Sequence, residues 1–163
     1  MALKGDRYEF FVDISNFGNS VMTRGGVASY AGLGSGGAMD QSQAFVAYAA
    51  NSSGQYPAGL LLNDMVNIDL TRQHINWYQD QIIIGGKVTL GKKGYWVTNN
   101  LTQGPNPIAV GDLAVLTSSG NIMNIAGSNL AAGSWNKALN PYVGTFLSTA
   151  DEDGYAKISI EIH

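Results

Sequence analysis

The sequence predicts an all-β fold: a single-domain antiparallel β-barrel or sandwich with an extended N-terminal arm. Three observations predict it. Short runs of β-branched and aromatic residues recur along the chain, separated by Gly-rich turns. The last run alternates cleanly, with Ala156, Ile158, Ile160 and Ile162 on one face and Tyr155, Lys157, Ser159 and Glu161 on the other. That period of two belongs to a half-buried antiparallel strand. Charge is also scarce: 13% of residues are charged, against roughly a quarter in ordinary domains.

The 163 residues suffice for one domain with a real core. An apolar fraction of 45% is that of a globular protein, not a disordered one. A formal net charge of −3 argues against a nucleic-acid binder, which needs a basic face to release phosphate counterions. Low charge points instead toward assembly, because protein-contact surfaces are depleted in Lys, Glu and Asp at their centre. The chain has no cysteine, hence no disulfide and no thiolate metal site. Met1 to Arg7 lacks the apolar core of a signal peptide, and no apolar run is long enough to span a bilayer. The expectation is a soluble chain made in a cytoplasm. On that expectation the sequon matches at Asn51-Ser52-Ser53 and Asn100-Leu101-Thr102 carry no sugar.

In chain order, Tyr8 to Ile14 reads as a strand, with Phe10, Val12 and Ile14 on one face and Glu9, Phe11 and Asp13 on the other. Residues 1–16 form the expected arm and 17–163 the β-rich domain, its barrel core at about 82–163. A terminal strand pairs within its own domain or adds to the sheet edge of a neighbour. Gly25 to Asn63 holds one charged residue, Asp40, and contains Gly32-Leu33-Gly34-Ser35-Gly36-Gly37. That spacing matches G-x-G-x-x-G, but no βαβ rhythm follows, so it reads as a glycine loop. Ala44 to Ala50 reads as a strand, and Pro57 and Gly59 mark a turn before the apolar run Leu60-Leu61-Leu62. Leu70 to Gln81 is a structured loop or a helical turn. Ile82 to Leu90 and Tyr95 to Thr98 read as two strands of a hairpin around Gly91-Lys92-Lys93-Gly94. Leu113–Leu116, Ile122–Ile125 and Tyr142–Ser148 follow as strands, and Asp151-Glu152-Asp153-Gly154 turns the chain into the last one. Between Asp112 and Asp151 the one charged residue is Lys137. Exposed edge strands are guarded by charge, so this unguarded half suggests barrel closure, a subunit interface, or both.

No catalytic set is visible. His74 and His163 are the only histidines, and neither falls in a nucleophile motif. Asp151 to Gly154 lacks calcium-loop spacing and reads as a tight Asp-Gly turn. Asp64, Asp69, Asp80 and Asp112 cannot be paired from sequence into a glycosidase dyad. Trp77, Tyr78, Trp96 and Trp135 have the surfaces to stack on sugars, though such residues more often fill cores or interfaces. No cofactor and no metal are expected.

Several of these runs carry a resemblance. Ala58-Gly59-Leu60-Leu61-Leu62-Asn63-Asp64-Met65-Val66-Asn67-Ile68-Asp69, Gly85-Gly86-Lys87-Val88-Thr89-Leu90 and Gly94-Tyr95-Trp96-Val97-Thr98 resemble tailed-bacteriophage head decoration proteins, also called cement proteins. So do Gly111-Asp112-Leu113-Ala114, Val143-Gly144-Thr145-Phe146-Leu147-Ser148 and Asp153-Gly154-Tyr155. The resemblance covers roughly the C-terminal two thirds and lies mostly in turn chemistry. It implies a non-enzymatic protein on the outer surface of the mature capsid, made in a bacterial host's cytoplasm. Such a protein commonly acts as a homotrimer and clamps neighbouring subunits of the major capsid protein, with no nucleic-acid or membrane partner. It transfers no catalytic or contact residue. From the chain itself, Tyr8, Phe10, Phe11, Val12, Ile14 and Trp135 are the candidate capsid or subunit contacts. The alternative is a glycan-binding head or tail appendage using Trp77, Trp96 or Trp135.

Overall fold

A computed structural model describes residues 8–33, 44–48, 56–62, 81–82, 85, 87–102, 106–117, 120–126 and 141–162. Every regular element among them is a strand: β1 (Tyr8–Asp13), β2 (Phe17–Gly18), β3 (Met22–Thr23), β4 (Val27–Leu33), β5 (Ala44–Tyr48), β6 (Pro57–Leu62), β7 (Gln81–Ile82), β8 (Thr89–Thr98), β9 (Leu101–Thr102), β10 (Leu113–Leu116), β11 (Ile122–Ile125), β12 (Tyr142–Phe146) and β13 (Ala156–Glu161). Eleven of them form one sheet, in the order β2-β5-β4-β6-β8-β13-β12-β10-β11-β9 with β1 also on β8. The pairing is antiparallel except between β2 and β5 and between β9 and β11. β3 and β7 make a separate small ribbon.

Residues 89–98 do not form a hairpin. They run as one ten-residue strand, β8, and Gly91-Lys92-Lys93-Gly94 lies inside it. The glycines serve packing instead of a turn. A Cβ on Gly91 would sit 2.5 Å from Trp96 Cζ2, and one on Gly94 would sit 2.8 Å from Trp96 Cη2 and 2.1 Å from the Tyr8 carbonyl oxygen. The fully buried indole therefore lies across a strip of backbone that only glycine leaves open.

β8 is where the sheet forks. Gly91 pairs with Leu60 of β6 on one edge and Val12 of β1 on the other, while Gly94 pairs with Ile160 of β13 and Glu9 of β1. β1 thus follows one edge of β8, and β6 and β13 divide the other. At the fork, the Ile162 N–H donates to the Lys92 carbonyl at 2.9 Å. A register shift leaves Lys92 without a partner on β1. Such a bulge reverses side-chain parity, so Leu90 and Trp96, six residues apart, reach different cores.

The two branches curl toward each other into a half-barrel. Val27, Leu60 and Leu62 from one branch meet Trp96, Leu116, Ile122, Val143, Phe146, Ile158 and Ile160 from the other. Burying each such side chain contributes roughly 1.5–3 kcal/mol. The branches are tied along their seam: Val27 N–H donates to the Gly120 carbonyl (2.8 Å), the Thr98 hydroxyl to the Gly25 carbonyl (2.8 Å), and Asn100 Nδ2 to the Arg24 carbonyl (3.1 Å). The opposite face of β4 and β6 is also covered, by a second cluster of Met22, Ala28, Val46, Ala58, Leu61, Val88 and Leu90. That double burial explains why Leu60-Leu61-Leu62 shows no alternation. Ala58 joins Leu61 because a bulge opposite Ala28 and Ser29 leaves Ala58 unpaired.

The strands predicted from Leu113 onward form, with β12 ending at Phe146, two residues before the predicted Ser148. β10–β11 and β12–β13 are antiparallel pairs, and β13 alternates as its sequence does, with Ala156, Ile158 and Ile160 buried. Asp151 Oδ1 accepts the N–H groups of Asp153 (3.1 Å) and Tyr155 (2.7 Å), which closes the turn before β13. Gly154 supplies its positive φ of 79°.

Candidate protein-contact surface

β1 owes its exposed face to a misfit in its ladder. Tyr8 pairs with Tyr95, Glu9 with Gly94 and Phe11 with Lys93, so Phe10 is an extra residue against β8. The bulge turns both phenylalanines outward, 67% exposed at Phe10 and 57% at Phe11. Tyr8 and Ile14 are also more than half exposed. Val12 points the other way and packs, partly buried, against the larger core.

The outward side chains are gathered. The Tyr8 ring meets Phe10 edge-on at 5.2 Å between centroids and stacks on Tyr95 at 6.2 Å. On the other side, Lys92 Nζ lies 5.9 Å from the Phe11 centroid and 5.9 Å from the Tyr30 centroid. Tyr30 and Tyr95 are exposed as well. The result is an aromatic strip along β1 and β8 that reaches Tyr30 on β4. Monomers rarely leave large apolar side chains clustered in this way unless something covers them.

The charges within the strip are satisfied internally. Lys92 Nζ donates to Asp13 Oδ2 at 3.0 Å and to the Tyr30 hydroxyl oxygen at 3.1 Å. Asp13 Oδ1 also accepts from the Ser15 N–H at 2.9 Å and from the Ser15 hydroxyl. Burial raises the Asp13 pKa, but the Ser15 donors and the Lys92 ammonium outweigh it and hold the carboxyl at about 2, below the usual 3.8. For Lys92, burial lowers the pKa, while the Tyr30 hydroxyl and Asp13 raise it further, for a net upward shift. Lys93 is paired with Glu161 at 2.8 Å on the surface. A partner at this strip would be recognised mainly by shape and apolar burial, with little long-range steering.

Five of the six contact residues expected from sequence can be placed. Tyr8, Phe10, Phe11 and Ile14 are outward, Val12 is inward, and Trp135 lies outside the described residues. Sequence reasoning missed Tyr30, Lys92 and Tyr95. Tyr95 was legible, since it flanks the buried Trp96 in an alternating run; Tyr30 joins only through the β4–β6–β8 pairing. Trp96 is removed from the sugar-stacking set, because its side chain is wholly buried. Trp77, Tyr78, His74, His163, Asp64, Asp69 and Asp80 lie outside the described residues.

Asp112 has a structural task. It is buried, and its Oδ2 accepts Asn124 Nδ2 at 2.9 Å and the Ala109 N–H at 3.0 Å. Asn124 Nδ2 also lies within hydrogen-bonding distance of the Asn106 (3.2 Å) and Pro107 (3.3 Å) carbonyls, and so holds the loop before β10. Among the described residues, no three of His, Cys, Asp and Glu are grouped to hold a metal ion.

No family model and no curated protein matches the chain. Among solved structures it is similar to the N base of head fiber gp8.5 of bacteriophage phi29, at 11% sequence identity and a TM-score of 0.48, covering 95% of this chain and 94% of that one. A likeness at this identity and score assigns neither family nor function.

Proposed function

We propose that the chain is a bacteriophage capsid decoration, or cement, protein. It binds the outer surface of the mature head as a homotrimer, stabilises contacts between subunits of the major capsid protein, and performs no catalysis. The observation that carries this reading is the aromatic strip on β1 and β8, a solvent-facing apolar surface whose ionic groups are already paired. The sequence resemblance supports it too, since its Gly111-Asp112 and Asp153-Gly154 steps are realised as locked turns.

The mechanism is linkage. A protein that binds the expanded lattice and not the unexpanded one stabilises the former by RT ln(1 + [L]/Kd), about 2.7 kcal/mol per site at a hundredfold excess over Kd. Many sites on one shell multiply that effect. Charge-poor, well-packed β structure suits the task, because a clamp must be rigid and needs no moving part.

The test is co-sedimentation of the purified chain with expanded and with unexpanded heads of the phage that encodes it. The reading expects saturable binding to expanded heads and raised resistance of those heads to heating. Equal binding to both forms, or to neither, would remove it. Tryptophan fluorescence during sugar titration addresses the glycan-binding alternative: a saturable change there would favour an appendage over a cement.

A further inference from the structure

We propose that β1 is exchanged between copies of this chain: in the assembled oligomer, Tyr8–Asp13 of each copy lies along β8 of the next, in the register seen here within one chain. The inference rests on the reading of the aromatic strip as a surface covered by protein, and it names the occupant as a second copy.

Four observations lead to it. First, β1 is held by little of its own burial. Val12 alone among its apolar residues is packed against the core, and Tyr8, Phe10 and Phe11 face solvent. Second, its ladder to β8 has two register breaks within six residues, at Phe10 and opposite Lys92. Third, the seat on β8 accepts a strand regardless of which copy supplies it. Gly94 leaves room under the Tyr8 carbonyl, and Lys92, held by Tyr30, offers its ammonium to the Asp13 carboxylate at the far end. Fourth, the link behind β1 is short and held at Ser15, which bonds back to Asp13, so Ile14 is the residue that would redirect the strand. Past Asp13, Ile14 is exposed, and the Asn16 carbonyl is then fixed by the Val88 N–H at 3.0 Å.

Exchange keeps every β1–β8 contact of the single chain, which is why swapping an identical element is a low-cost route to assembly. What it adds is a neighbouring molecule beside β1, where the exposed rings can be covered. Passed head to tail, the strands close a ring if the rotation closes, which is the arrangement a trimer requires.

The absence of cysteine gives a clean test. Tyr8 and Tyr95 are registered partners with exposed side chains, so Tyr8→Cys and Tyr95→Cys can be combined without opening the core. The purified double variant is oxidised at a concentration where light scattering shows an oligomer, then run on a denaturing gel without reductant. Exchange predicts covalently linked oligomers as the main product. The two single variants, mixed and refolded together, should give a linked heterodimer. A monomer whose two thiols are consumed internally overturns the proposal. So does the absence of any cross-link, or a chain that stays monomeric at every concentration. Shell binding by the wild-type chain is measured separately. Binding to expanded heads alongside an internally linked monomer would leave the decoration reading standing and remove only the exchange.

Discussion

Alanine at Gly91 asks whether the glycines of β8 are there for Trp96. The added Cβ would meet three indole carbons at 2.5, 2.9 and 3.1 Å. Trp96 is fully buried and borders Gly94 as well, so it has nowhere to retreat. Overpacking of a filled core costs typically 1–3 kcal/mol. Replacing glycine returns about 0.4–1 kcal/mol by restricting the unfolded chain. Three contacts this close put the overpacking cost in the upper part of its range, about 2–3 kcal/mol, so the expected net loss for Gly91→Ala is about 1–2.6 kcal/mol, or a fall of roughly 2–10 °C in Tm for a chain of this size. The assay is urea unfolding followed by circular dichroism, run as a cycle with Trp96→Phe. The smaller ring gives the methyl space, so the penalty should shrink by about 1 kcal/mol in that background. Gly154→Ala is the contrast: nothing lies within 4 Å of its Cβ, and its cost of about 1 kcal/mol comes from positive φ alone. That cost should not change with Trp96. An unchanged midpoint for Gly91→Ala, or an equal loss in both backgrounds, would refute the argument that this strip is glycine because of the indole.

Three further outcomes follow from the geometry. Asp112→Ala leaves the Ala109 N–H without its acceptor, while Asn124 Nδ2 keeps the Asn106 and Pro107 carbonyls in reach, and should cost about 1–3 kcal/mol in urea unfolding, the penalty for one buried donor left without its acceptor. Asp13 should make stability acid-sensitive: its folded pKa lies below the usual value, so its contribution is full above 3.8 and is lost as pH falls toward about 2. After allowance for solvent screening that contribution is about 1 kcal/mol, and the gap between wild type and Asp13→Asn should close over that window. Lys92 has the opposite sense, its contribution being present below 10.5 and lost as pH rises beyond it. Phe10→Ser with Phe11→Ser should leave the unfolding midpoint within about 0.5 kcal/mol per site, as exposed substitutions do, while weakening association by tenfold or more per ring if each is worth at least about 1.4 kcal/mol at the interface.

The fold was legible where one rule acted alone. β13 needed only its alternation, and the turn before it only the Asp-Gly chemistry. At β8 the glycines do not punctuate the turn that their sequence spacing predicts. The same residue type serves equally well where another group approaches the backbone, and no local rule tells the two apart. The apolar run of β6 was likewise ambiguous until its second covering layer was known. At the candidate site, Tyr8, Phe10 and Phe11 could be named from the chain, but their exposure depends on a bulge that alternation does not foresee. By strict alternation Phe10, Val12 and Ile14 share a face. The bulge sends Phe10 and Phe11 outward together and leaves Val12 to the core. Lys92 and Tyr30 enter through pairing between strands distant in sequence, which no short window contains.

The most direct measurement is the number of copies bound per expanded head as the chain is titrated, for wild type and for Phe10→Ser with Phe11→Ser. The account predicts a saturating isotherm for wild type and a large fall in occupancy for the variant at equal concentration, with both chains equally folded. Identical isotherms would show that the strip serves neither head binding nor the assembly that binds, and no binding by the wild-type chain would contradict the proposed role itself.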